Sequence, residues 1–164
     1  METPLGRIKA AALADEALCG LWFFGQKYFP LNTDSWIVQA DNPVFHILKS
    51  WLDVYFSSGQ QNLNTAEKYP QMPLAPKGTA FQQSVWKLLL EIPYGSTCTY
   101  GEIADKLGMK GQGVRAVAGA VGHNPISVII PCHRVIGTDG TLKGYAGGID
   151  RKKALLKIEG FSTL

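Results

Sequence analysis

The sequence carries little charge and no obvious staple. Asp, Glu, Lys and Arg make up 18% of the 164 residues, which argues against disorder. The three cysteines, Cys19, Cys98 and Cys132, are an odd count without a CxxC pair. That excludes a disulfide framework and offers no zinc spacing. His46, His123 and His133 lack ligand spacing too, so neither a metal nor a cofactor is expected. Free thiols point to a reducing compartment. No apolar run reaches the ~18 residues of a membrane helix. The opening METPLGRIKAAALADEA is charged through its apolar stretch, unlike a signal peptide. A cytoplasmic protein without membrane contact is expected.

What is present suits a globular chain of one domain, or two small ones sharing a core. Hydrophobic residues are 46%, and 18 glycines with nine prolines predict many tight turns. Charge is unevenly spread. Residues 1–78 hold six Lys/Arg against seven Asp/Glu, and residues 79–164 hold ten against six. A basic C-terminal half suggests a polyanion partner, although a solvated face would have the same composition.

Segments 5–12 and 18–24 alternate as the two strands of a hairpin, and a further strand is expected near Ser35–Gln39. Asp41 and Asn42 supply an N-cap and Pro43 an N1 residue for a helix ending at Gly59. Its apolar face is Val44, Ile47, Leu48, Trp51, Leu52 and Tyr55. Residues 60–78, with three prolines, form a linker. Thr79 and Gln82 make a capping box for the next helix, which Pro93 and Gly95 close. Two short helices, GEIADKLG and VRAVAGAVG, flank the turn MKGQG. They suggest a helix-turn-helix, although the pattern also fits two helices that simply pack together. SVII (127–130) is expected as a buried strand stopped by Pro131. Residues 137–148 form turns, and Asp150 is expected to cap a final helix closed by Gly160. The four tryptophans, Trp22, Trp36, Trp51 and Trp86, are expected in the core, as are the inert thiols of Cys19 and Cys98.

The densest chemical signal is Pro131-Cys132-His133-Arg134-Val135. A cysteine nucleophile needs thiolate character, which a neighbouring imidazole can supply. Adjacent residues on a regular strand face opposite ways. The two side chains could therefore cooperate only if the backbone turns or a water bridges them. Taken alone, such a pair is more often a buried structural cysteine beside an incidental histidine.

The run VRAVAGAVGHNPISVIIPCHRVIGTDGTLKGYAGGIDRKKALLKIEG resembles the C-terminal domain of the O6-alkylguanine-DNA alkyltransferases, the methylated-DNA–protein-cysteine methyltransferases. The likeness spans about Thr79 to Phe161, with GHNP eight residues ahead of the cysteine in IPCHRV. TPLG at the start is similar to the short microbial members. The chain lacks the N-terminal Cys/His spacing of zinc-binding members, and the turn between Tyr100 and Arg115 is one residue longer than in some.

The resemblance implies an α+β protein: a small N-terminal α/β scaffold domain (1–75) with a short antiparallel sheet, and a mostly helical C-terminal domain (76–164) containing the helix-turn-helix. It implies Cys132 as alkyl acceptor and His133 as the base that deprotonates it through a water. Glu159 would orient the histidine, and Asn124 would tie the hydrogen-bond network to the helix-turn-helix. Tyr100 would donate toward the flipped guanine. Arg115 would fill the vacated stack, and Tyr145 would belong to the substrate loop. Ala116, Ala118 and Gly119 would bring their helix close to a DNA groove, with part of that smallness serving helix packing. Lys152, in a basic cluster with Arg151 and Lys153, is expected at the DNA surface.

The implied partner is double-stranded DNA carrying O6-alkylguanine, bound by a monomer that reacts once, because a thioether resists water. O4-alkylthymine stays open as a second substrate. A soft alkyl carbon suits thiolate attack, and the departing guanine needs a donor. The base must leave the duplex first, at about a few kcal/mol. Cys132 is expected to titrate below the free-thiol value of about 8.5. One rival is a non-catalytic alkylated-base binder, against which Cys132 argues, since such relatives carry tryptophan there. The other is a Cys-His-Glu hydrolase or acyl transferase, which leaves Arg115 and the basic half unexplained.

Overall fold

The computed structural model describes residues 1–57 and 70–161. The expected helix end at Gly59 and most of the linker (60–69) lie outside them. The hairpin forms as β1 (Ile8–Leu13) and β2 (Ala17–Phe23), antiparallel, with an irregularity between Ala11 and Ala12. β2 also pairs with two distant segments, Leu18 with Leu74 and Leu21 with Ile126. The second of these contacts places the hairpin directly against the approach to Cys132. Leu21 N–H donates to Pro125 O at 2.8 Å, and Ser127 N–H donates to Leu21 O at 2.8 Å.

Helix α1 (Pro43–Ser57) begins as expected, with Asn42 Oδ1 accepting from Val44 N–H at 2.9 Å. Val44, Leu48, Leu52 and Tyr55 face inward. Helix α2 (Ala80–Leu90) carries the full Thr79–Gln82 capping box. A second box, Thr99 with Glu102, opens α3 (Tyr100–Lys106). Its Thr-x-x-Glu spacing is a sequence signal of the same kind. Helix α4 (Val114–Gly122) follows the turn and packs on α2 and α3. Val117, Ala120 and Val121 are buried, and Trp86 Nε1 donates to Ala120 O at 2.9 Å. A 3-10 turn over Cys132–Arg134 leads into β4 (Val135–Ile136), which pairs in parallel with β3 (Cys98–Thr99). Helix α5 (Ile149–Ile158) ends the described chain. One buried apolar cluster runs from Ile8 to Leu155 through every helix.

Four expectations need correction. Residues 35–39 form no strand: Ile37 and Val38 are 88% and 95% exposed, since none of the described residues pairs with their backbone or covers their side chains. SVII is buried but turns instead of extending, with Val128 at φ 71°. A β-branched run signals burial, and here only Ser127 bonds β2, while Ile129 and Ile130 N–H make turn bonds and Ile130 O takes the Asn124 amide. The α5 N-cap is Gly148, at a positive φ of 92° that residues with a side chain rarely adopt, and Asp150 sits in the first turn without a capping bond. Trp36 is partly exposed, its ring tilted on Trp22 at 6.0 Å with Lys9 over it, while Cys19 and Cys98 are only half-buried.

Thr79 touches the fold only through its cap, so it isolates local helix chemistry. Thr79→Ala is expected to cost about 1 kcal/mol and lower the thermal midpoint by about 2–4 °C. Calorimetry of the two proteins checks this, and coincident melts would deny the box any weight.

Candidate active site

Cys132 opens the 3-10 turn after Pro131 and is 4% exposed. Through this turn the backbone does not alternate as on a strand, and His133 Nδ1 makes no direct hydrogen bond to Cys132. Asn124 holds it from behind. Its Nδ2 donates to Ile130 O at 2.8 Å and to Cys132 Sγ at 3.0 Å, while its Oδ1 accepts from Ile126 N–H at 3.0 Å. One amide therefore shapes the turn and touches the thiol. Burial pushes the Cys132 thiol up to about 11, against the lowering pull of Asn124 and of the Lys152 charge. The expected low-pKa thiolate is thus corrected: without substrate, Cys132 is a thiol.

His133 is fully buried, and its Nε2 lies 2.7 Å from Glu159 Oε1. Facing a carboxylate, Nε2 carries the hydrogen. That leaves Nδ1, which has no protein partner among the described residues, as the acceptor. Burial pushes the imidazole below its usual range although Glu159 pulls it up, so it is neutral. Glu159 is an enclosed anion at the end of α5. It accepts from Arg134 Nε at 2.8 Å, Arg134 Nη2 at 3.0 Å, Tyr55 Oη at 2.8 Å and, at 3.4 Å, Gly95 N–H. Burial opposes its charge, but His133 and Arg134 hold the carboxyl down at about 2.

Tyr100, the first residue of α3, is buried and donates to Lys143 O at 2.8 Å. Burial, with the nearby Cys132, pushes its phenol to about 12, so it stays a donor. Gly144 sits beside it at φ 70°, where an added Cβ would stand 2.6 Å from the Tyr100 hydroxyl. Tyr145 is buried, with Cys132 and Ser127 near its hydroxyl. It lines an open cleft of about 440 Å³ with Ala118, Gly119 and Gly144. Lys27 and Tyr28, from the N-terminal part, form its rim, and Tyr28 stacks on His123 with ring centroids 3.9 Å apart. Arg115, Ala116 and Gly119 lie on the exposed face of α4, and Ala118 is half-buried.

Lys152 is where expectation and structure part. Its side chain is 0% exposed, so it does not offer its charge to a DNA surface. It donates to Val135 O and, at 2.8 Å, to Lys143 O, pinning the loop over the thiol to β4. Burial lowers its pKa to about 8. Position i+3 from Ile149 on an otherwise apolar face was the available signal; the basic neighbours masked it. Tyr55, Arg134 and the Lys27–Tyr28 rim were not anticipated at the site. Tyr55 was legible as an apolar-face residue, but nothing in its spacing showed where the hydroxyl would end. Among the described residues, no group of His, Cys, Asp or Glu could hold a metal ion.

The arrangement is a buried thiol with one amide donor, a neutral imidazole backed by a carboxylate, a phenol donor and a cleft. Such a set suits nucleophilic displacement by a buried sulfur. A family model described as 6-O-methylguanine DNA methyltransferase, DNA binding domain, matches residues 80–161. A methylated-DNA–protein-cysteine methyltransferase of Haemophilus influenzae is 42% identical over 158 residues, covering 96% of this chain and 82% of its own. One from Methanosarcina barkeri is 45% identical over 160 residues, 97% and 94% of the two chains. The crystal structure of Mycobacterium tuberculosis OGT in complex with DNA superimposes with a TM-score of 0.81 at 41% identity, covering 97% of this chain and 89% of that one.

Two pH experiments follow. Iodoacetamide labelling of Cys132 in DNA-free protein, followed by peptide mass, is expected to rise with an apparent midpoint well above 8.5. A midpoint at or below that value contradicts the buried-thiol state. Stability has its own signature. The His133 pKa is depressed in the fold, so stability falls as pH drops below about 6.5, where the unfolded imidazole takes a proton that the folded one refuses. A further loss follows between about 4.3, the unfolded carboxyl value, and the folded Glu159 value of about 2. Thermal midpoints that stay flat from pH 7.5 to 5 would contradict the neutral buried imidazole.

Proposed function

The chain belongs to the methylated-DNA–protein-cysteine methyltransferase family, and we propose that it moves the alkyl group of O6-alkylguanine in DNA onto its own Cys132. It is an enzyme of DNA repair by alkyl transfer. The observation that carries the finer reading is the thiol itself: buried, touched by Asn124, and adjacent in sequence to a neutral histidine held by Glu159.

The mechanism follows from these groups. The guanine rotates out of the duplex into the cleft beside Tyr145. The Cys132 proton passes, through a bridging water, to His133 Nδ1, and Glu159 stabilises the resulting imidazolium. The sulfur electron pair attacks the alkyl carbon, an S–C bond forms, and the C–O6 bond breaks with its electrons staying on the guanine. Tyr100, turning from Lys143 O, donates toward that departing anion. Charge appears in the pocket only while substrate fills it, where fixed donors act strongly. The product thioether has no acidic proton to return and does not hydrolyse, so each molecule reacts once. Lys152 and Asn124 lower the cost of the transient thiolate.

The DNA face of this reading is α4. Small residues let it approach a groove, and Arg115 on the exposed face fills the space the guanine leaves. A repair protein needs no base-edge readout beyond the lesion. The N-terminal residues act mainly as scaffold, pressing β2 against residues 125–127. All proposed groups come from one chain, so the proposed reaction needs no second copy.

Incubation with an O6-methylguanine duplex is expected to add one CH2 to the Cys132 peptide, stoichiometrically and without turnover. Cys132→Ser should abolish transfer while leaving duplex binding nearly unchanged, since the phosphate contacts remain. Turnover would select a hydrolase, and binding without transfer by the unaltered protein would select a lesion binder. Arg115→Ala separates flipping from chemistry. It should slow repair within a duplex roughly ten- to a thousandfold, while reaction with the free O6-alkylguanine base changes much less. Equal losses on both substrates would assign Arg115 to the fold of the pocket.

A further inference from the structure

The donors around Glu159 do not all come from the segment that carries the nucleophile. Arg134 and His133 sit on the 3-10 turn beside Cys132, and Gly95 follows α2. Tyr55 comes from α1, 104 positions away, and its Oη donates at 2.8 Å to Oε1, the same oxygen that receives His133 Nε2–H at 2.7 Å. The ring is anchored on several sides. It stacks on Trp51 at 5.1 Å and meets Phe56 and Tyr94 edge-on at 5.2 and 6.1 Å.

A phenol at this position needs a reason. Tyr55 lies on the apolar face of α1 with Leu48 and Leu52, and is buried as they are. Phenylalanine would bury the same ring without a hydroxyl to satisfy. Burial first, and then the Glu159 charge, push the Tyr55 phenol well above its ordinary value. It is therefore a permanent donor that never competes for the catalytic proton.

We infer that Tyr55 is a positioning residue for the proposed transfer: its hydroxyl holds Glu159 Oε1 against His133 and sets how readily the imidazole takes the Cys132 proton. The inference rests on the reading of Cys132 as acceptor. The N-terminal part would then do more than support the site, because it supplies one of the bonds that tune it. The charged and titratable groups facing His133 and Glu159 are Arg134 and Cys132 on the turn, Lys152 on α5, Tyr94 after α2, and Tyr55 on α1. Only Tyr55 belongs to the N-terminal part.

The sign of the effect follows. A donor to Oε1 spreads the carboxylate charge, and removing it leaves more of that charge for His133 Nε2–H. The imidazolium is then favoured, and less neutral base is available at acid pH.

The test is Tyr55→Phe, with Phe56→Leu as a packing control that touches no hydroxyl. Single-turnover methyl transfer from an O6-methylguanine duplex is measured from pH 4.5 to 9, with thermal midpoints in parallel. In Tyr55→Phe the acid limb of the rate profile, which the depressed His133 places below about 6.5, should move up by about half a pH unit or more, so that the loss on that limb is about threefold larger than at pH 8. Phe56→Leu should lower the melting temperature without moving the limb. An unmoved limb in Tyr55→Phe, or an equal shift in both variants, overturns the inference and leaves Tyr55 a packing residue. Iodoacetamide labelling of Cys132 over the same pH range keeps the two readings apart. If the unaltered protein transfers no methyl group, the functional reading fails. A labelling profile that still differs between the unaltered protein and the Tyr55→Phe variant then upholds the coupling, and coincident profiles overturn it.

Discussion

The Glu159 carboxylate is the interaction on which the site depends. A carboxylate buried without partners would cost many kcal/mol and would instead take up a proton. Here four residues donate to it, from α1, from the segment after α2, and from the 3-10 turn at the nucleophile. Each segment must reach the same place for the anion to be tolerated. The ion therefore enforces the geometry of the turn more than it adds to stability, since a buried pair largely offsets its own desolvation. The Arg134 fork also donates to Ile92 O at 2.6 Å, which ties the end of α2 into the same cluster.

The thiol lives in the opposite regime. Its pocket is buried and its proton is held, so in the proposed reaction a nucleophile used only once would be shielded from stray electrophiles. Reactivity is stored in neighbours that are ready but uncharged or already paired: a neutral imidazole, an amide hydrogen, and a lysine whose pKa burial has lowered to about 8. Because Lys152 bonds Val135 O and Lys143 O, and Tyr100 also bonds Lys143 O, the loop above the thiol is held from two helices at one carbonyl. Any base that draws Tyr100 away from Lys143 acts on the loop that forms its own cleft.

The two faces of α4 divide the work along one short helix. Val117, Ala120 and Val121 join the core against α2 and α3, and Arg115, Ala116 and Gly119 stay outside. Small residues stand on both faces, Ala120 in the core and Ala116 and Gly119 outside, where the proposed approach to a DNA groove would use them. The turn before α4 runs through Lys110, Gly111 and Gly113, all at positive φ.

Much of this protein was readable from the chain, and the reason is locality. Helix caps at Asn42 and Thr79, the hairpin, and the period of α1 depend on residues a few positions apart, whose chemistry acts in almost any surroundings. The family signature around Cys132 could also be read, because the chemistry needs those side chains in that order. Tertiary structure decided what depends on distant partners. SVII looked like a strand because β-branching reports burial, whereas extension requires a partner that the Asn124 amide replaced. Residues 35–39 had a strand's composition and no edge to join. Lys152 looked like a surface cation until packing placed it under the loop. The Cys132 pKa turned on how much water its pocket excludes, and the bond from Tyr55 to Glu159 on how α1 docks. Desolvation and long-range hydrogen bonding are properties of a place in the fold, and a residue's neighbours in sequence do not specify them.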